Sequence, residues 1–316
     1  MEHAIVMEGV TKAFGDKFAV NDLDLAVPQG SICGFIGPNG AGKTTTMRMI
    51  LSIIAPDSGT LRVLGRRSAA DSKDRIGYLP EERGLYRKMK VEALLSYVAR
   101  LKGVSADGLQ AKIARWLDRV ELPGHAHRRC EELSKGMQQK VQFLAAVIHE
   151  PDLLVLDEPF SGLDPLNARL LEELMLEQHA RGATILLSTH VMSQAERFCE
   201  RVFMIHRGRK VLDATTSEIA RSFDPRTLVV ELASPDDSAD ALASYAGAER
   251  VERKGNTVRV QLRDGVDPSA AIRDLTARAR LRRIEAVRAT LEEVFLRLAG
   301  VPEEDARGAA SHAGTD

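Results

Sequence analysis

A chain of 316 residues is long enough for one large and one small domain, each with its own core. Its 44 lysines and arginines against 45 aspartates and glutamates leave a net charge of -1, which excludes a protein that holds nucleic acid or an anionic surface by bulk charge. Cys33, Cys130 and Cys199 are odd in number and lack metal-type spacing, so they read as reduced thiols of a cytoplasmic protein rather than a disulfide framework.

The N-terminal residues show no basic region followed by an apolar core, and no apolar run approaches the roughly 20 residues of a membrane-spanning helix. A role at a membrane therefore requires another chain to supply the spanning part. Alternation predicts strands over Ala4 to Val10 and Leu23 to Val27, with a turn at Gly15-Asp16-Lys17. Phe14, just before that turn, is equally readable as a base-stacking ring or as core cover.

The apolar run Ser31 to Ile36 leads into Gly37-Pro38-Asn39-Gly40-Ala41-Gly42-Lys43-Thr44-Thr45, and a helical run follows from Thr46 to Leu51. This is the phosphate-loop pattern in its strand-loop-helix context. Glycines let backbone N–H groups turn inward around phosphate, and the helix adds its positive end. In that pattern Lys43 reaches the β- and γ-phosphates, and the Thr44 hydroxyl coordinates Mg²⁺.

Leu61 to Leu64 reads as a short strand, and Ile76 to Leu79 as another that exits at Pro80-Glu81. From Val91 to Ile148 the pattern turns helical, with Ala93, Leu94, Tyr97, Val98 and Leu101 on one expected face and Ile113, Leu117 and Val120 on another. Ser134 stands where the last of these helices needs an N-cap. Leu153 to Asp157 is an unbroken apolar run closed by the pair Asp157-Glu158, as in a parallel strand buried on both faces with its acids at the ligand-binding edge. Ser161-Gly162-Leu163-Asp164-Pro165 then turns into a helix over Asn167 to His179. A second buried strand, Thr184 to Thr189, ends at His190. A helix over Met192 to Glu200 and a hairpin about His206 to Lys210 follow. In this setting Asp157 suits holding Mg²⁺, Glu158 suits polarising a water, and His190 suits orienting that water at the γ-phosphate.

From Arg226 the texture changes. The expected order is strand Thr227 to Leu232, helix Ser238 to Tyr245, a hairpin about Lys254-Gly255-Asn256, helix Ser269 to Ala279, strand Leu281 to Val287 and a last helix opened by the capping box Thr290-Leu291-Glu292-Glu293. That order predicts a ferredoxin-like α+β domain. The arginines at 273, 278, 280, 282 and 283 read as a solvated face in preference to a binding patch.

Together these motifs resemble the ATP-binding subunits of ABC transporters, over about residues 4 to 220. By that resemblance Gly37 to Thr45 is the Walker A loop, Leu153 to Glu158 is Walker B with its catalytic glutamate, and His190 is the switch histidine. Leu133-Ser134-Lys135-Gly136-Met137 takes the signature position, Ser161 to Asp164 the D-loop, and Phe14 the adenine-stacking place. Two departures from the general pattern, Glu81 for a metal-touching glutamine and Lys135 with Met137 in the signature, resemble bacterial exporters of the sodium-extrusion and drug-resistance type. In those, a similar accessory domain follows the ATPase.

The resemblance implies an α/β P-loop NTPase domain over 1–220 with a helical insertion at about 88–150, a ferredoxin-like accessory domain over 221–300 and a disordered tail over 301–316. ATP and Mg²⁺ are the implied cofactors, with Thr44, Asp157 and Glu81 as metal-side residues. Lys43 acts in catalysis beside Glu158 and His190. The implied partners are a separately encoded membrane permease on the cytoplasmic face and a second ATPase copy placed head to tail, so that Ser134, Gly136 and Asp164 of one chain meet the nucleotide held by the other. No nucleic acid is expected. The alternative, an ABC-type ATPase acting on ribosomes or DNA, is opposed by a single ATPase unit without a heptad insert, and a regulator without turnover is opposed by Glu158.

Overall fold

The computed structural model describes residues 2–67, 69–82, 84–222, 226–234, 240–287 and 290–299. The chain divides into two compact units, Met1–Thr216 and Ser217–Asp316. The tail over 301–316, Arg83 and the start of the helix expected from Ser238 lie outside the described residues.

In the first unit, β1 (His3–Phe14), β2 (Lys17–Pro28) and β3 (Ile32–Ile36) lead to α1 (Lys43–Ile50), followed by β4 (Ser58–Val63) and β5 (Ile76–Leu79). The helical insertion holds α2 (Val91–Leu101), α3 (Leu109–Arg119) and α4 (Lys135–Val147). Then come β6 (Leu153–Asp157), α5 (Pro165–Ala180), β7 (Thr184–Thr189), α6 (Met192–Phe198), β8 (Arg201–His206) and β9 (Arg209–Thr215), and α7 (Thr216–Ser222) spans the division.

β1 and β2 run further than their alternation suggests, pairing from His3↔Pro28 to Phe14↔Lys17. Register shifts between Met7 and Val10 and between Val10 and Lys12 break the period of two in the sequence without ending the ladder. The order β2-β1-β4 makes one antiparallel sheet, and β5-β6-β7-β3-β8-β9 makes the central sheet, parallel except for the β8–β9 hairpin. Every residue of β3, β6 and β7 is buried, which is why these strands read as unbroken apolar runs.

The expected apolar face of α2 is displaced. Val91, Leu94, Leu95 and Ala99 are buried, whereas Ala93 is exposed, Tyr97 is 47% exposed and Leu101 is 67% exposed. α2 packs against both α3 and α4, so its buried stripe turns toward Leu95 and Ala99. The Tyr97 ring instead meets Tyr86 edge-on, with centroids 6.0 Å apart. In α3, Ile113 and Leu117 are buried as expected, as is Val120 just beyond its end.

The second unit contains β10 (Thr227–Leu232), α8 (Asp240–Ala243), β11 (Ala248–Lys254), β12 (Thr257–Leu262), α9 (Pro268–Arg278), β13 (Leu281–Val287) and α10 (Leu291–Ala299). Its sheet order, β11-β12-β10-β13, with helices after the first and third strands is the ferredoxin-like topology. Leu228, Val230, Leu232, Val258, Val260 and Leu262 alternate inward over Ala271 and Leu275 of α9. The capping box of α10 is formed: Thr290 N–H donates to Glu293 Oε2 at 3.0 Å and Glu293 N–H donates to Thr290 Oγ1 at 3.2 Å. Arg273, Arg278, Arg280, Arg282 and Arg283 are all exposed, and two of them meet nearby acids, Arg282 with Glu231 at 3.5 Å and Arg283 with Glu285 at 2.5 Å.

Candidate functional site

Four neighbouring strands of the central sheet, β5, β6, β7 and β3, end at one edge. Their C-terminal ends carry Glu81, Asp157 with Glu158, His190, and the Gly37–Thr45 loop respectively. Parallel order alone therefore gathers residues that are more than a hundred positions apart in sequence.

The loop is anchored from outside as well as by its own turns. Ala41 N–H donates to Pro38 O at 3.1 Å, and Gly208 N–H in the β8–β9 turn donates to Ala41 O at 2.9 Å. Gly42 caps α1 at φ 110°, and a Cβ there would lie 2.4 Å from Ala19 O, so only glycine fits. No side chain caps α1 and no acid lies in its first turn, which leaves the helix end suited to an anion. Asn39 and Gly40 are exposed, Pro38, Thr44 and Thr45 are half-buried, and Gly37 and Ala41 are buried.

Lys43 is 6% exposed. Its Nζ donates to Gly37 O at 2.7 Å and to Pro38 O at 3.3 Å, and lies 3.9 Å from Glu158 Oε1. Burial pushes the Lys43 ammonium below its usual range, while the carboxylates of Glu158, Asp157 and Glu81 act the other way. Glu81 itself is exposed, at the rim of this edge.

Asp157 is 1% exposed. Ser188 Oγ donates to its Oδ1 at 2.5 Å, and its Oδ2 is buried with no hydrogen-bond partner. Glu158 follows with φ 49°, a left-handed conformation that costs a non-glycine residue about 1–3 kcal/mol and turns its side chain out of the strand pattern. Glu158 N–H donates to Ser188 O at 3.1 Å. The carboxylate is 7% exposed, and its Oε1 accepts from both His190 N–H and His190 Nδ1 at 2.8 Å. Thr189 Oγ1 lies 3.4 Å from Glu158 Oε2 and 3.0 Å from Gln194 Oε1, and its single proton serves one of them at a time.

Ser134, Gly136 and Asp164 form a separate cluster where α4 and α5 begin. Ser134 is exposed, and its Oγ accepts from Met137 N–H at 3.3 Å as the N-cap of α4. Asp164 caps α5 through Asn167 N–H at 2.9 Å, and Asn167 Nδ2 donates to Asp164 Oδ2 at 2.5 Å. The same amide lies 3.3 Å from where a Gly136 Cβ would stand, so the two helix starts touch. These paired amide contacts hold the Asp164 carboxyl below its usual range. Phe14, at the end of β1, is 55% exposed, with Lys12 Nζ 5.7 Å from its ring centroid.

Sequence motifs assigned no role to Ser188, which fixes Asp157, to Gln139, which lies just past the signature stretch, or to Gln142 on α4. Gln139 Nε2 donates to Pro159 O at 3.1 Å, and Gln142 Nε2 donates to Glu82 O at 3.1 Å. Ser188 and Gln142 each stand among apolar neighbours, which marks them as needing a partner but does not name which one.

The family profile for ABC transporters matches residues 20–161, and the profile described as ATP-binding protein DrrA1-3-like, C-terminal domain, matches residues 215–299. The chain is similar to an uncharacterized ABC transporter ATP-binding protein of Bacillus subtilis (strain 168), 38% identical over 95% of this chain and 100% of that one. It is also similar to the Nod factor export ATP-binding protein I of Paraburkholderia xenovorans (strain LB400), 38% identical over 96% of this chain and 99% of that protein. A solved ATP-binding subunit of an ABC transporter superposes with a TM-score of 0.65 and 34% identity, over 70% of this chain and 93% of that one. With these likenesses along nearly its whole length and the phosphate loop, acid pair and histidine on one sheet edge, the chain belongs to the ABC transporter ATP-binding proteins, ATPases that bind and hydrolyse ATP to power transport.

Proposed function

We propose that this chain is the ATPase subunit of an exporter, working at the cytoplasmic face of a membrane as a head-to-tail pair docked on a separate permease. The observation that carries the catalytic part is the meeting of Lys43, Asp157, Glu158 and His190 at one edge, with Glu158 buried and held from two sides. Among the described residues no helix is long and apolar enough to cross a membrane, so a spanning partner is part of the reading. Export is supported by the likeness to a Nod factor export ATP-binding protein and by the DrrA-like C-terminal domain of this chain.

In this reading the loop N–H groups and Lys43 hold the β- and γ-phosphates, and Phe14 offers its exposed ring to the base. The Asp157 oxygen without a partner and the Thr44 hydroxyl fit a hard cation, which an exposed Glu81 joins at the rim. Bound there, Mg²⁺ neutralises charge on the phosphate oxygens. Glu158 accepts a proton as water attacks the γ-phosphorus and the bond to the ADP oxygen breaks, giving ADP and phosphate. His190 holds the Glu158 carboxylate and reaches the γ-phosphate from the next strand. Ser134, Gly136 and Asp164, apart from this cluster in their own chain, serve the nucleotide of the partner copy.

The test is purification of the tagged chain from membranes of its native cell, with and without ATP. Co-purification of a membrane protein and a shift from monomer to dimer on adding ATP to the Glu158→Gln variant support the reading. A chain that binds ATP but recovers no membrane protein overturns the transport part.

A further inference from the structure

Helix α4 grips the site of its own chain through contacts that nucleotide binding does not explain. Gln139 and Gln142 are 4% and 5% exposed and lie three residues apart, hence on one helix face. Gln139 Nε2 holds Pro159 O, the carbonyl next after Glu158. Gln142 Nε2 donates to Glu82 O at 3.1 Å and to Pro80 O at 3.4 Å, the carbonyls on either side of Glu81. Its Oε1 is buried with no partner.

A buried amide with an unmatched oxygen is a poor core residue, and a methionine of similar length fits such a place at least as well on packing grounds. What glutamine adds is its hold on the Glu81 loop. Behind that hold α4 and β5 form one stiff body. A Cβ on Gly77 would lie 2.2 Å from Ala146 O, and His149 Nε2, just past α4, bonds Ile76 O at 3.1 Å. The far end of the same helix is the exposed Ser134, about 12 Å away along the axis.

We infer that Gln142 is a positioning residue: it transmits engagement of Ser134 by a second copy's nucleotide to the Glu81 loop of Ser134's own chain. This rests on the head-to-tail pairing proposed above. A helix fixed to a strand along one side moves as a unit, so a shift at its N-terminus reaches the Glu81 loop through the 3.1 Å bond or breaks it.

The experiment compares Gln142→Met with the parent, each alone and combined with Glu158→Gln. Nucleotide affinity of the separate chain is read with a fluorescent ATP analogue, dimer fraction by light scattering against ATP concentration, and unfolding by Tm. We expect Gln142→Met to keep the analogue's Kd within about twofold and to lower Tm by no more than a few degrees, since the freed Pro80 and Glu82 carbonyls offset the removal of an unmatched amide oxygen, while kcat falls about tenfold or more. In the Glu158→Gln background the ATP needed for half-dimerisation rises about fivefold or more. Gln142→Glu, which keeps the length but loses the neutral donor, serves as a second variant with the same expected loss of kcat and of dimer. A double variant that dimerises as readily as Glu158→Gln alone, or a kcat unchanged by either substitution, overturns the role of Gln142. A Glu158→Gln chain that stays monomeric in ATP overturns the pairing itself.

Discussion

Glu158 and His190 are joined twice at one oxygen: Oε1 accepts the His190 backbone N–H and its Nδ1, each at 2.8 Å. The backbone donor fixes the carboxylate, and the ring, 47% exposed, covers its outer side. With Nδ1 donating, the neutral ring carries Nε2 as an acceptor. We expect Glu158→Gln to lower kcat by about 10²–10⁴-fold with ATP binding retained, the range of a lost general base. His190→Ala leaves one of the two donors and should lower kcat less than Glu158→Gln does. Steady-state hydrolysis by Glu158→Gln at the parent rate removes Glu158 from the mechanism.

Lys43 and Ser134 belong to different clusters of one chain, which a mixing experiment can exploit. Lys43→Ala should weaken ATP binding by about tenfold to a hundredfold, the loss of charge-assisted hydrogen bonds. Ser134→Arg should bind ATP as the parent does and fail in hydrolysis. In a head-to-tail pair of one chain of each kind, one site holds both defects and the other holds neither. Mixing two inactive chains should then restore part of the parent ATPase rate, and a mixture as inactive as its components argues against shared sites.

Gly77 is where β5 meets α4 backbone to backbone, and a Cβ there would lie 2.2 Å from Ala146 O. Neither strand nor helix can shift without disturbing the other. Gly77→Ala should destabilise the first unit by about 1–3 kcal/mol through overpacking. That should appear as a Tm lower by a few degrees, read by calorimetry.

His149 supplies a pH dependence of stability. Burial pushes its imidazole down to about 4, and nearby Lys102 adds to the effect. The unfolded imidazole takes up its proton below about 6.5, whereas the folded one resists down to about 4. This contribution is therefore complete above about pH 6.5 and is lost as pH falls from there toward 4. Its ceiling is about 3 kcal/mol, reduced by the part of the ring that solvent reaches. Urea midpoints between pH 7 and pH 5 should fall more steeply for the parent than for His149→Gln, which keeps a donor toward Ile76 O and does not titrate.

Much of the candidate site is legible in the sequence because each of its pieces is a short local pattern. Inward N–H groups need glycines within a few positions, as Gly37, Gly40 and Gly42 are, and a strand buried on both faces writes itself as the run Leu153 to Leu156 before Asp157. The same holds for Ser134 as a helix cap and for the capping box at Thr290. Periodicity misplaced the face of α2, because Leu95 and Ala99 are buried by two neighbouring helices that a single-helix pattern does not contain. It also shortened β1 and β2, whose bulges interrupt the alternation while the ladder continues.

By itself the sequence determined which groups stand at the sheet edge: a glycine-rich loop leading into a helix, a buried acid pair and a histidine, each specified by neighbours within a few positions. The tertiary structure alone decided what holds these pieces to one another. Gln142 reaches the Glu81 loop from about sixty residues away, and Ser188 reaches Asp157 from 31. Contacts of that separation depend on which strands and helices become neighbours, and packing selects these without leaving a local mark in the chain.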